Sequence, residues 1–138
     1  MTYENKKINN ILEKISEWSD RFMSMEICGF VGYNEENKKY ILKLCENHSP
    51  DKKNHFQINP IDYLLFKKDN SFIGVFHSHI KGDEKPSEFD VSSCEHSCLP
   101  FFVYSINSKK FGLAKPKLID YNVDYFEKFT KNINIYNG

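Results

Sequence analysis

The sequence predicts an α/β fold in which a mixed β-sheet has helices packed against it. Three observations lead there. Segments with helical spacing and segments with strand character alternate irregularly along the chain, rather than in the strict strand–helix rhythm of a parallel α/β protein. Several neighbouring strands are joined by turns too short for a crossover helix. The chain has 138 residues, 40% of them hydrophobic, with no linker, repeat or low-complexity stretch, so one domain (residues 1–138) with a real core is expected.

The elements follow in order. From about Asn5 to Arg21, apolar side chains at Ile8, Ile11, Leu12, Ile15 and Trp18 make one greasy helical face. Met25 to Tyr33 reads as a strand, with Gly29 and Gly32 where bulk is excluded or the backbone bends. Asn34 to Asn37 is a turn, and Lys39 to Glu46 alternates as the partner strand of a hairpin. His48 to His55 is a polar loop whose two histidines should face solvent. Asn59-Pro60 opens a helix to about Lys68, with proline at its first position. Ser71 to Ser78 is an apolar run of buried-strand character, followed by a polar loop from Ile80 to Pro86. Ser87 fits a helix N-cap with Asp90 three residues on, and that helix ends near Cys98-Leu99-Pro100. Phe101 to Asn107 and Lys110 to Lys115 form two strands around a Ser108-Lys109 turn, and Phe101 to Tyr104 belong to the core. The domain core therefore covers about 5–115, and a C-terminal helix falls within about 121–132, from Val123 to Asn132.

Charge and composition exclude several functions. Lys plus Arg equals Asp plus Glu at 19 each, so the basic excess that neutralises phosphates is missing and nucleic acid is not expected as a partner. No apolar run approaches the roughly 20 residues of a membrane helix, and the N-terminus lacks the apolar core of a signal peptide. Cys28, Cys45, Cys94 and Cys98 lack the spacing of a disulfide framework and read as free thiols in a reducing compartment. The protein is expected inside a cell, or in a particle assembled there.

The chemistry concentrates between His77 and Asp90. Residues i and i+2 on a strand share a face, so His77 and His79 project together and can grip one zinc ion through neutral imidazoles. Asp90 supplies a third ligand if its helix start packs against the strand end, and a catalytic zinc leaves its fourth place to water. Glu26, at the opening of another strand, would line the same pocket as general base and then acid. The Ser87 hydroxyl, one helical turn from Asp90, would donate to the developing oxyanion. Together these tasks amount to hydrolysis of an amide bond by a zinc-activated water.

Each part also has a plainer reading. His-x-His pairs are common, Ser87 and Asp90 make a capping box without any catalysis, and Glu26 alone is a strand-edge carboxylate. Cys94 and Cys98, with His96 between them, form a rival zinc site, although buried free thiols are the default. Other hydrolase patterns are missing, including His-Glu-x-x-His, Gly-x-Ser-x-Gly and the deaminase Pro-Cys-x-x-Cys, as is any phosphate-binding glycine loop.

The arrangement of Glu26, then His77-Ser78-His79, seven residues, Ser87, two residues and Asp90 resembles the JAMM motif of the MPN-domain metallopeptidases. Glu26-Ile27-Cys28-Gly29-Phe30 is similar to that family's Glu-x-Cys-Gly segment. The resemblance implies an α/β sandwich around a curved mixed sheet, one catalytic Zn2+ on His77, His79 and Asp90, Glu26 as acid/base and Ser87 at the oxyanion. Phe56 to Tyr63 and Cys94 to Pro100 are similar to segments of phage tail-assembly proteins of the K type, where such a domain precedes a cell-wall peptidase domain. The likeness runs from about Asn5 to Leu113. Ile80 departs from the proline usual after the second histidine, which implies a looser following loop, and a second peptidase domain is not expected within these 138 residues. The resemblance implies a peptide or isopeptide substrate, namely a peptidoglycan peptide, a tail protein or a ubiquitin-like protein. It places the chain in the cytoplasm of a bacterial host or on a phage tail. Removal of a ubiquitin-like tag in antiphage defence and a non-catalytic MPN module are the alternatives.

Overall fold

The computed structural model describes residues 1–131 and the backbone of Ile135–Asn137. Seven strands form one sheet: β1 (Thr2–Asn5), β2 (Cys28–Asn34), β3 (Lys39–Cys45), β4 (Ser71–His79), β5 (Phe101–Ser105), β6 (Phe111–Ala114) and β7 (Ile135–Asn137). Their order is β1-β3-β2-β4-β5-β6-β7. The β4–β5 and β6–β7 pairs are parallel and the others antiparallel, so the sheet is mixed as predicted.

Among the described residues there are four helices: α1 (Ile8–Arg21), α2 (Pro60–Asp69), α3 (Glu88–Ser97) and α4 (Val123–Lys131). Helices α1 and α4 cover one sheet face, where Ile11, Ile15, Trp18, Phe126 and Phe129 meet Val31, Leu42, Phe76 and Phe102. On the other face Phe66 of α2 and Cys94 of α3 share a second cluster with Cys28, Phe30, Phe72, Val75 and Phe101. This two-sided cover explains the continuous apolar run of β4, which is buried from Phe72 to Ser78 because both pleat faces meet protein. The segment Phe101 to Tyr104 is core, as expected.

Two strands escaped the sequence reading. Thr2–Asn5 offers only Tyr3 as an apolar residue, and its strand conformation is imposed by pairing with the edge of β3. Helix α1 accordingly begins at Ile8 rather than near Asn5. Strand β7 adds in parallel to β6, beyond the predicted core boundary at about residue 115. The predicted last residue of the terminal helix, Asn132, lies outside the described residues.

Local chemistry sets the elements that matter for the site. The side chain of Asn59 accepts from the Ile61 N–H at 2.9 Å and Pro60 occupies the first turn, so α2 starts where predicted. A register shift between Val31 and Gly32 bends β2 against β4, and a Cβ at Gly32 would press on the Ser71 carbonyl and the Phe66 ring. The loop after β4 is well tied. Gly82 O accepts from Ser105 Oγ at 2.9 Å and from Asn107 Nδ2 at 3.3 Å, and Ile80 packs against the core. A Cβ on Gly112 would collide with the Glu84 carbonyl, so this close approach of loop to strand needs a glycine. Ile80, where the resemblance led us to expect proline, thus opens a loop held by these tertiary contacts.

Candidate functional site

The end of β4 and the start of α3 converge as the motif spacing predicts. His77 Nε2 lies 3.1 Å from Asp90 Oδ1, and His79 Nε2 lies 2.9 Å from Asp90 Oδ2. One ligand atom from each of the three residues falls within 4.8 Å of the others. Two local devices hold them. Successive same-face positions on β4 aim both imidazoles at α3. The α3 capping box has Ser87 Oγ accepting from the Asp90 N–H at 3.0 Å and Asp90 Oδ2 accepting from the Ser87 N–H at 2.9 Å. The plain capping reading and the ligand reading of Asp90 therefore hold together.

His77 is fully buried, and neither of its ring nitrogens has a hydrogen-bond partner. Its 3.1 Å approach to Asp90 is close in distance but off-axis for a hydrogen bond. The ring is instead held by packing: Phe56 stacks on it at 4.5 Å and Phe101 meets it edge-on at 6.0 Å. A buried imidazole without partners costs free energy that a cation would recover. The residues present thus fit a metal ion. His79 is oriented differently, with Nδ1 2.9 Å from the Asp83 carbonyl and Nε2 directed at Asp90. A second hydrogen bond that fixes the ring is the usual companion of a metal-ligating histidine.

Electrostatics sort the protonation states. Burial lowers His77 and keeps it a neutral imidazole. For His79, burial is outweighed by the Asp90 and Asp83 hydrogen bonds, and its pKa rises. Burial would raise Asp90, but the two histidines and the Ser87 N–H outweigh it and hold the carboxyl well below the usual carboxylate range. Asp90 is therefore ionised and its charge partner is His79, while His77 is already in the form that binds a cation.

Glu26 sits two residues before β2 rather than within it. Cys28 pairs with His77, and continuing that antiparallel register sets Glu26 opposite His79. Its side chain is buried at 5% exposure. Burial pushes its pKa up to about 8, with the charge of His79 opposing. Four hydrogen bonds fix the backbone around it. Ser78 Oγ accepts from the Ile27 N–H at 2.9 Å, and the Ser78 N–H donates to Ile27 O at 3.0 Å. The Glu26 N–H donates to Lys52 O at 2.7 Å, and Asn47 Nδ2 donates to Glu26 O at 2.9 Å.

Sequence reasoning missed three contributors. Ser78, between the histidines, is the strap that holds Glu26 in register. Asn47, buried at 4% exposure, uses Nδ2 on Glu26 O and His55 O while Oδ1 accepts from Ser49 and Gln57. An asparagine at the head of a polar loop was the available signal. Phe56, named above only as the start of a segment similar to phage tail-assembly proteins, is the stacking partner of His77. His48 is exposed as expected, but His55 is half-buried against Phe89 at 4.5 Å. The rival cysteine site does not assemble. Among the described residues the only cluster with metal-ligating geometry is His77, His79 and Asp90. Cys98 is the left-handed C-cap of α3, and burial pushes the Cys94 thiol up to about 12.

Residues 9–116 match the family of prokaryotic homologs of the JAB domain. The chain belongs to that family. Over 80 residues this JAB domain is 30% identical to the tail tip assembly protein K of Escherichia phage N15. The match takes in 58% of the chain and 32% of that protein, so it spans about a third of the relative's length. The solution structure of a protein from Desulfitobacterium hafniense shares the fold, with a TM-score of 0.56 at 20% identity over 96% of this chain and 89% of that one. Among the described residues no helix of the JAB domain is long and apolar enough to cross a membrane.

Proposed function

We propose that this JAB domain is a zinc-dependent metallopeptidase or isopeptidase that hydrolyses an amide bond, working in phage tail assembly or at the bacterial cell wall. The observation that carries the reading is the convergence of two strand histidines and a helix-capping aspartate beside a buried, proton-retaining glutamate. A structural ion would not call for that glutamate, whereas a hydrolytic centre needs a base near neutral pH. The likeness to a tail tip assembly protein supports the tail setting, in the host cytoplasm or on the tail.

In this reading His77, His79 and Asp90 hold the ion. When bound, zinc supplies Lewis acidity toward a water and toward the scissile carbonyl. Glu26 accepts the proton of the attacking water and returns it to the leaving nitrogen. Without a cation burial holds the Glu26 carboxyl protonated up to about pH 8; the charge of a bound cation would lower that value and leave the carboxylate free to act as base. Ser87 Oγ already accepts from the Asp90 N–H, which leaves its own hydrogen free to donate to the carbonyl oxygen as negative charge develops there.

The test is metal content of purified protein, followed by a chelator-sensitive cleavage assay on peptidoglycan peptides, tail proteins and ubiquitin-like fusions. The expected result is one zinc per chain, lost when both histidines are replaced, and cleavage that stops with chelator or with Glu26→Gln. Absence of zinc, or zinc retained without both histidines, refutes the metal assignment. Zinc without cleavage of any substrate would make this a non-catalytic MPN module. Cleavage confined to ubiquitin-like fusions would move the substrate to modifier removal.

A further inference from the structure

A cavity of about 440 Å3 lies on the same sheet face as the histidines, between that face and α3. We propose that it is a binding pocket for an uncharged, apolar stretch of the substrate peptide. The proposal rests on the peptidase reading above and adds the substrate's chemical class.

Three features carry it. The first is proximity to the candidate centre. Val75 lines the cavity and His77 follows two positions later on β4, a step of roughly 7 Å along the same face. Phe56 and Phe101 line the cavity and also contact the His77 ring. A substrate whose scissile bond lies at the histidines would reach the cavity within a few residues of that bond.

The second is helix geometry. Phe89, Ser92, Ser93 and His96 form one stripe of α3 facing the cavity, while the adjoining position, Asp90, faces the histidines. The same helix turn therefore supplies the carboxylate and the pocket wall. Phe89 stays 47% exposed at the mouth, where an apolar partner would cover it.

The third is lining chemistry. No Asp, Glu, Lys or Arg lines the cavity, although 28% of the chain is charged. Aromatic and aliphatic walls with a few hydroxyls, the Gln57 amide and the His96 imidazole, at a volume within the roughly 300–1,000 Å3 of ligand pockets, suit apolar side chains better than fully charged ones. The pocket therefore selects against charged segments.

The experiment uses full-length, zinc-supplemented protein carrying Glu26→Gln, so that bound peptide stays intact. Two capped hexapeptides of equal length are titrated and followed by amide NMR shifts. One carries Leu and Phe at alternate positions, the other Glu and Lys there. The apolar peptide is expected to shift the amides of Phe89, Ser92 and Ser93 and to bind at least about tenfold more tightly than the charged one. Ser93→Trp, which fills the cavity, should weaken the apolar peptide by about tenfold. Phe89→Glu, at a half-exposed position on the cavity mouth, should do the same, with its fold checked by the dispersion of the amide spectrum. Equal binding of the two peptides, or no loss with either variant, overturns the proposal. Shifts produced by decanol with neither peptide bound overturn it in favour of an acyl ligand. Metal content is read separately in the same samples. Protein that holds zinc and ignores both peptides refutes the pocket alone. Protein that binds the apolar peptide without zinc supports the pocket and removes the peptidase reading.

Discussion

Replacing Glu26 by glutamine should make the metal-free protein more stable, and increasingly so as pH rises. The carboxyl is buried, makes no hydrogen bond to a described residue, and is pushed from an ordinary 4.5 up to about 8. Below pH 4.5 it is protonated in both folded and unfolded chains and contributes no difference. Between 4.5 and about 8 the unfolded chain ionises while the folded carboxyl keeps its proton. Stability therefore falls across that window and levels off above it. At about 1.4 kcal/mol per pH unit, the full interval sets an upper limit of roughly 4–5 kcal/mol. Relaxation and water entry in a real site reduce this to an expected ~2–4 kcal/mol. Glutamine keeps the shape and removes the charge, so its own packing cost is independent of pH. The assay is urea denaturation of both proteins with chelator present, at half-unit intervals from pH 4.5 to 8.5. The stability difference between Glu26→Gln and the parent should grow steadily with pH. A difference that stays flat, or a variant that loses stability relative to the parent toward pH 8, would refute the account of Glu26 as a desolvated carboxyl.

Four further variants have expected outcomes. Asp90→Asn should abolish zinc binding in a metal assay, and Ser87→Ala should keep zinc, lose about 1 kcal/mol of stability from the α3 cap and drop turnover by about 10²–10³. Asn47→Ala should leave metal content unchanged while lowering kcat and costing about 1–3 kcal/mol in denaturation, because four backbone groups lose their partner. Gly112→Ala should destabilise the protein by about 1–3 kcal/mol, through the collision with the Glu84 carbonyl, and speed amide exchange in the loop from Ile80 to Pro86.

Much of the site was legible because its logic is local. A period of two places both histidines on one face, and a capping pattern places Asp90 at a helix start; both rules act within a few residues. Glu26 was legible as a carboxylate at the opening of another strand, but its place opposite His79 was not, since that strand is about fifty residues away. What remained hidden depends on contacts that spacing does not encode. Strand β1 exists because β3 has a free edge to pair with. Phe56 gains its role from stacking on a ring twenty-one positions later, and Asn47 from carbonyls that meet only after β2 and the loop have folded. The tethered loop after β4 illustrates the same limit, because Gly112 admits Glu84 across the sheet edge.

Asp90 closes the first turn of α3 with one oxygen while both its oxygens face the histidines, and the same turn carries Phe89 at the cavity mouth. A cation at the cluster and a peptide in the cavity would therefore both favour the same seated position of α3. Linkage then requires reciprocity: whichever ligand arrives first raises the affinity for the other by the same factor. Metal and substrate would thus be read together by one helix turn, each held more tightly in the presence of the other.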